Sequence, residues 1–358
     1  MTRAERVRLR PRPPLVLLTG ASGWFGRCLL ESRHGMGSDA RLWAELGSPP
    51  IRALVEARED RRPVERAGAE CVVGDVRSRH DCERFVEGAN GAVLVHAAGV
   101  IHPTLRRDFY EVNVTGTRNV LAACERAGVE HAIVLSSNSP CGCNPAPEHR
   151  FDEFSPYNPF RHYGRSKMLM EIESLHRHAE GGLRVTVIRA PWFYGPYQPE
   201  RQSRFFRMVR DGRFPLFGRG ENVRSMVYLE NLCQGILRAA LSPRSSGCIY
   251  WIADERAYPM ATIVDVVERV LEEDFGIRCA GRRLRLPRLA AHVAGALDRA
   301  VQAAGLYEPR IHVLGELDKS IACSIERARK ELGYAPRVEL PEGIRQSVAW
   351  LLENRGGL

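Results

Sequence analysis

The apolar positions of the chain alternate between two patterns. Largely apolar runs stand at 15–18, 51–55, 69–76, 92–99, 131–137, 183–189 and 248–252, and helix-period stretches follow at 24–30, 78–87, 108–127, around 163–167 and at 230–241. Runs without in/out alternation fit strands buried on both faces, and strands alternating with helices predict a doubly wound parallel α/β sheet of Rossmann type. Residues 38–50 read as an inserted loop with a short helix, and 140–159 as a proline-rich loop. From about 192 the pattern loosens. An arginine- and phenylalanine-rich helix is predicted at 200–211, a short strand at 225–229, helices at 260–274 and 286–306, and a helical tail at 325–350 around Tyr334-Ala335-Pro336-Arg337. This second part reads as a smaller C-terminal lobe interleaved with the last elements of the sheet.

The first strand runs directly into Thr19-Gly20-Ala21-Ser22-Gly23-Trp24-Phe25-Gly26 and then into a helix. Strand, glycine-rich turn and helix N-terminus in that order form a phosphate-binding loop. Gly20 permits the tight turn, Gly23 lets backbone approach a pyrophosphate, and Gly26 lets the helix pack against the sheet. Glu56 ends the second strand, where such folds place the acid for an adenosine ribose, but Arg58 lies beside it and suits a 2′-phosphate. The sequence therefore leaves NAD and NADP both open. Ala97, Ala98 and Gly99, at the carboxyl end of the fourth run, leave room for a ligand in the crevice there. The domain division is thus a basic leader at 1–13, a dinucleotide-binding domain at 14–191 and a substrate lobe at 192–358.

Composition narrows the setting. The 358 residues are 44% apolar and 27% charged, with a net charge of +9, as in a soluble globular protein. Arg3, Arg6, Arg8, Arg10 and Arg12 face only Glu5 in the leader, which is expected to be a solvated, disordered tail. No apolar segment of a signal peptide follows it, and no stretch reaches the about 20 uncharged apolar residues of a membrane span. The stretch 286–306 comes nearest, but Arg288, His292, Asp298 and Arg299 make it an amphipathic helix. Ten scattered cysteines fit free thiols in a cytoplasmic protein. Cys141 and Cys143 have no second Cys/His pair at ligand spacing, so no metal site is expected. The arginines are spread without interleaved stacking aromatics, which argues against nucleic acid.

Chemistry concentrates at Tyr163 and Lys167, four residues apart and so on one helix face. An ammonium beside a phenol favours the phenolate and is expected to lower the tyrosine pKa, giving a proton donor and acceptor near neutral pH. Ser137, at the end of the strand before that helix, can meet the same crevice.

These segments together resemble the extended short-chain dehydrogenase/reductases, in the branch of NAD-dependent sugar epimerases and dehydratases. The resemblance rests on Thr19-Gly20-xx-Gly23-xx-Gly26, Gly74-Asp75, His96-Ala97-Ala98, Asn113-Val114-Thr115-Gly116-Thr117, Ser136-Ser137, Tyr163-xxx-Lys167, Arg189-Ala190-Pro191-xx-Tyr194-Gly195-Pro196 and Arg224-Ser225-Met226-Val227-Tyr228. It implies Tyr163 as acid/base, Ser137 as the group orienting the substrate oxygen, and Lys167 on the nicotinamide ribose. It also implies a cofactor lining that adds Asp75, Val76, Asn113, Ser136, Ala190 and Pro191, and leaves room for a homodimer. Two features depart from the sugar enzymes. The Asp-Glu pair of 4,6-dehydratases is replaced by Asn138 and Ser139, and Trp192 stands where epimerases often carry an asparagine; the surrounding phrase is closer to 3β-hydroxysteroid dehydrogenase-like and dihydroflavonol reductase-like members. The favoured substrate is a nucleotide-activated sugar, met by Ser137, Asn138, Trp192, Arg201 and Arg224. The alternatives are an apolar alcohol walled by Trp192, Phe205, Phe206, Phe214 and Phe217, and a non-catalytic dinucleotide binder.

Overall fold

The computed structural model describes residues 12–34 and 39–355. The leader expected to be a disordered tail lies outside the described residues except for Arg12 and Pro13. The first part alternates as expected: β1 (Val16–Thr19), α1 (Trp24–Glu31), α2 (Asp39–Leu46), β2 (Ile51–Val55), α3 (Arg62–Arg66), β3 (Glu70–Val73), α4 (Arg79–Phe85), β4 (Val93–His96), α5 (Arg106–Tyr110), α6 (Thr117–Arg126), β5 (His131–Ser137), α7 (Arg161–Ala179) and β6 (Arg184–Ala190). The second part holds β7 (Trp192–Tyr194), α8 (Glu200–Arg210), β8 (Pro215–Phe217), β9 (Val223–Arg224), β10 (Met226–Tyr228), α9 (Leu229–Leu241), β11 (Cys248–Trp251), β12 (Tyr258–Pro259), α10 (Met260–Arg269), β13 (Leu284–Leu286), α11 (Arg288–Ala303), α12 (Pro309–Glu316), α13 (Glu326–Leu332) and α14 (Leu340–Arg355).

Seven strands form one parallel sheet in the order β11-β6-β5-β4-β1-β2-β3. The order reverses between β1 and β4, and the carboxyl ends of strands at such a switch point are where these sheets bind ligands. Both faces are covered, which explains the unbroken apolar runs. Val16 and Leu18 enter a core shared with α1, α2 and α9, while Leu17 enters the opposite core with α4 and α6. A third core packs α8, α10 and α14.

Two expectations needed revision, and one strand pair was not foreseen. The helix expected at 108–127 is interrupted by a π-helical turn, Glu111–Gly116, between α5 and α6. The tail is not one helix: Gly333 adopts φ +66° after α13, and the chain stays irregular through Tyr334–Pro336 until α14 begins. The parallel pair β8 and β13 had no sequence signal, since each is three residues long and they lie far apart in the chain.

Candidate active site

The glycine loop is built by contact. Gly20 has φ +73°, and a Cβ there would meet the Ala97 carbonyl carbon at 2.7 Å; a Cβ on Gly26 would stand 2.1 Å from the Gly20 oxygen. These two positions fix β1, the turn and α1 against the end of β4. Gly23 caps α1 with extended backbone, and a Cβ there would touch only the Gly20 oxygen, at 3.1 Å. Trp24 Nε1 donates to the Pro196 carbonyl at 2.6 Å, so the loop is tied to the segment after β7. Ser22 is partly exposed and donates to Glu59.

Several residues expected to face a cofactor turn their side chains into the scaffold. Phe25 is in the core. Thr117 Oγ1 donates to the Asn113 carbonyl and so accepts from His96 Nε2; His96 Nδ1 then accepts from Thr19 Oγ1, which accepts from Ala98 N. Every distance in that chain is 2.8–3.1 Å. Burial, with the Lys167 charge, pushes His96 down to about 3, which keeps it neutral as the chain requires. Asn113, buried in the π-turn, clamps the Val100 N–H and C=O and the Ser166 hydroxyl, holding the loop after β4 to α7. Ser136 donates to Glu171 at 2.5 Å. Glu171 also accepts from Tyr157 Oη and makes a buried ion pair with Arg189, Nη2 to Oε2 at 2.8 Å. That pair was not anticipated; only the unusual presence of Arg189 in an apolar strand hinted at it.

The remaining lining is open or paired. Ala97 and Ala98 are partly exposed and Gly99 is exposed, giving the open floor of the crevice. Ala190 and Pro191 are buried at the end of β6. Val76 packs in the second core. Arg77 binds Asp75 through side chain and backbone and lowers its pKa against the opposing effect of burial. Glu56 pairs with Arg58 at 2.7 Å, so the acid and base that separate NAD from NADP answer each other.

Ser137, Tyr163 and Lys167 converge at the end of β5 and the start of α7. The Ser137 hydroxyl bonds Asn138 Oδ1 at 3.4 Å and Ser139 at 3.3 Å, and its proximity to Tyr163 favours the ionised phenol. The net shift of Tyr163 is nevertheless upward: burial dominates, opposed by Ser137 and Arg201 and assisted by Glu316. The expected lowering by Lys167 is therefore corrected. Lys167 is buried, and its Nζ donates to the Leu135 carbonyl at 2.8 Å and contacts Met170 Sδ at 3.2 Å instead of the phenol. Burial pushes it down to about 8, with Glu171 opposing.

Sequence reasoning missed what supports Tyr163 from the C-terminal part. Its ring packs on Phe109 with centroids 5.8 Å apart, Phe109 on Tyr307 at 5.1 Å, and Tyr307 Oη bonds His102 at 2.9 Å. Arg161, at the start of α7, holds φ +58°, rare for a residue with a side chain, and is fixed by the Gly295 carbonyl at 2.9 Å and Asp298 at 3.3 Å. Of the expected substrate residues, Arg201 is exposed near Tyr163 and Asn138 is partly exposed beside Ser137. Trp192 is tied to Gln202 and packed on Phe205. Arg224 is buried and bound to the Glu316 carboxylate and carbonyl at 3.0 and 2.7 Å, so it is not the free cation expected. Phe205, Phe206 and Phe214 belong to the third core and Phe217 is buried, so they do not wall a pocket.

The NAD dependent epimerase/dehydratase family model matches residues 16–253, which span the glycine loop, Ser137, Tyr163 and Lys167. The chain belongs to this family. An uncharacterized protein of Sinorhizobium fredii, y4nL, is 49% identical over 95% of this chain and 96% of its own. N-acetyl-α-D-glucosaminyl-diphospho-ditrans,octacis-undecaprenol 4-epimerase of Escherichia coli O157:H7 is 29% identical over 72% of each chain. Among solved structures, DesIV, a dTDP-glucose 4,6-dehydratase of Streptomyces venezuelae crystallised with NAD, superposes with a TM-score of 0.75 at 23% identity, covering 96% of this chain and 98% of that one. The protein is thus an enzyme of the extended short-chain dehydrogenase/reductase type, dependent on NAD(P). The residues present fit that cofactor: the Gly20–Gly26 contacts leave the Gly23 backbone at a helix N-terminus beside the open floor of Ala97, Ala98 and Gly99. No helix among the described residues is long and apolar enough to cross a membrane.

Proposed function

We propose that the enzyme interconverts a secondary alcohol and its ketone on a nucleotide-activated sugar, as an epimerase or as a dehydrogenase. Bound NAD(P) would supply the hydride acceptor and donor. Tyr163 moves the proton at the substrate oxygen, Ser137 orients that oxygen, and Lys167 is placed under the crevice on the same helix. The observation that carries the reading is that the end of β5 places Ser137 beside the start of α7, which carries Tyr163 and, one turn on, buried Lys167. The intact set supports turnover over a non-catalytic binder.

Arg201, exposed and near enough to favour the Tyr163 phenolate, supports an anionic substrate group; guanidinium forks bind diphosphates bidentately. Burial of the four phenylalanines weighs against the apolar alternative, which keeps only the half-buried Trp192 as a wall. Tyr163→Phe should retain cofactor binding and lose turnover by about 10²-fold or more on UDP- or dTDP-sugars, the scale of a general acid/base. Near-wild-type rates would remove Tyr163 from the mechanism. Oxidation of a sterol alcohol by an enzyme that binds neither UDP nor dTDP would replace the sugar with the apolar substrate.

A further inference from the structure

One surface of the lobe is not used by the site. Among the described residues, six of the ten large hydrophobic side chains that stand exposed lie between Leu284 and Val313: Leu284, Leu289, Val293, Leu297, Leu306 and Val313. Leu289, Val293 and Leu297 repeat every four residues along α11 and are 71%, 61% and 50% exposed. With exposed Ala296 and Ala300 they fill one sector of the helix, while Ala291, Ala294, Asp298 and Gln302 occupy the buried side.

The polar part of the exposed face is basic. Arg288, His292 and Arg299 flank the apolar sector, and Arg285 and Arg310 stand exposed just before α11 and on α12. Across residues 282–310 there are six arginines and two acids; Asp298 is buried, which leaves Glu308 as the exposed acid. Arg283 is paired with Asp265 and Glu268, whereas Arg285, Arg288, Arg299 and Arg310 make no ion pair among the described residues. An apolar stripe flanked by unpaired arginines on a helix too short and too charged to span a bilayer matches a helix lying in an anionic lipid interface. A second copy of the chain fits less well, because a two-fold contact through this stripe would set arginines against arginines.

The inner side of α11 faces the catalytic helix. Asp298 and the Gly295 carbonyl hold Arg161, the Gln302 carbonyl accepts from Arg106, and Leu306 bridges to Leu105 near the Phe109–Tyr307 support of Tyr163. We propose that the outer face of α11 and α12 docks on an anionic membrane surface through Leu289, Val293 and Leu297 and the arginines beside them. The enzyme then works with the start of α7 one helix away from the lipid. This docking is independent of which alcohol the site converts.

The test is flotation of the full-length protein with vesicles of phosphatidylglycerol and phosphatidylcholine, against pure phosphatidylcholine, at low and high salt. The wild type should float with the anionic vesicles and be released by salt. Leu289→Gln/Val293→Gln/Leu297→Gln, in which every change is on an exposed position, should lose at least ten-fold in the bound-to-free ratio and retain its melting temperature. Arg288→Gln/Arg299→Gln should lose on the order of 20-fold, from about five-fold per arginine at a lipid surface. Absence of flotation at low salt overturns the proposal. So does equal flotation of the triple variant, which would assign binding to the basic leader, and so does a wild-type dimer that the triple variant turns into a monomer, which would assign the stripe to a second copy.

Discussion

Replacing Glu171 by glutamine should destabilise the protein more than any change at the rim of the site. Glu171 is fully buried and accepts four kinds of contact: Ser136 Oγ at 2.5 Å, Tyr157 Oη at 2.9 Å, Arg189 Nη2 at 2.8 Å and Arg189 Nε at 3.2 Å. Arg189 is equally buried, and its Nη1 already has no hydrogen-bond partner among the described residues. Removing the carboxylate charge strands a guanidinium away from water, which costs about 3–5 kcal/mol when one member of a buried pair is lost. The rings of Tyr157 and Trp251, 5.3 and 5.6 Å from the guanidinium carbon, retain part of the attraction and place the loss near 3 kcal/mol. At about 2 °C per kcal/mol for a large chain, the melting temperature should fall by roughly 6 °C. Calorimetry or urea unfolding of Glu171→Gln measures the loss, and Glu171→Leu, Arg189→Met and Glu171→Leu/Arg189→Met close a cycle that gives the coupling energy. The double variant should recover much of the loss, because a buried pair replaced by apolar groups of like volume is often neutral. A Glu171→Gln melting temperature within 1 °C of wild type, or a coupling below about 1 kcal/mol, would refute the reasoning.

Gly26→Ala should fold poorly or bind NAD(P)H at least ten-fold more weakly by fluorescence titration, since its Cβ would overlap the Gly20 oxygen at 2.1 Å; unchanged affinity would separate the loop from the cofactor. Lys167 has a folded pKa of about 8 against an ordinary 10.5, so the unfolded chain binds more protons between those values and the lysine's destabilising effect is full below pH 8 and relieved towards pH 10.5. The stability of wild type relative to Lys167→Met should therefore rise by about 3 kcal/mol from pH 7.5 to 10.5 in urea unfolding, and a flat difference would show that Lys167 is not depressed. No 4-keto-6-deoxy product should form from UDP- or dTDP-glucose, because Asn138 and Ser139 cannot ionise to supply the second acid and base; its detection by mass spectrometry would falsify this assignment.

The sheet and the glycine loop were legible because their causes are local. Strands buried on both faces must be apolar at every position, and the Leu17 alternation between two cores is what an unbroken run means physically. Tyr163, Ser137 and Lys167 were legible because a four-residue spacing on one helix and a strand end are enough to bring them together. The direction of the Tyr163 shift was not legible, because it depends on where Lys167 points. Its ammonium is committed to the Leu135 carbonyl, and the phenol is then governed by burial.

The C-terminal lobe escaped for a different reason. Its short strands pair over distances that no periodicity records, as in Arg224 with Ile321 and β8 with β13. The same remoteness hid the fate of Arg224: a cation opening a strand looks free until Glu316, 92 positions away, folds onto it. Tyr307 illustrates the functional consequence. It lies on a loop between two helices with no motif around it, yet through Phe109 it buttresses the ring of Tyr163, and through His102 it fixes the loop after β4. Asp298 and the Gly295 carbonyl hold Arg161 at φ +58°, two residues before the acid/base candidate. A backbone held in that region persists only where surrounding contacts over-determine it. The lobe that binds substrate in our reading therefore also sets the pose of the helix that carries Tyr163, so substitutions far along the chain at Asp298 or Tyr307 are expected to register at Tyr163.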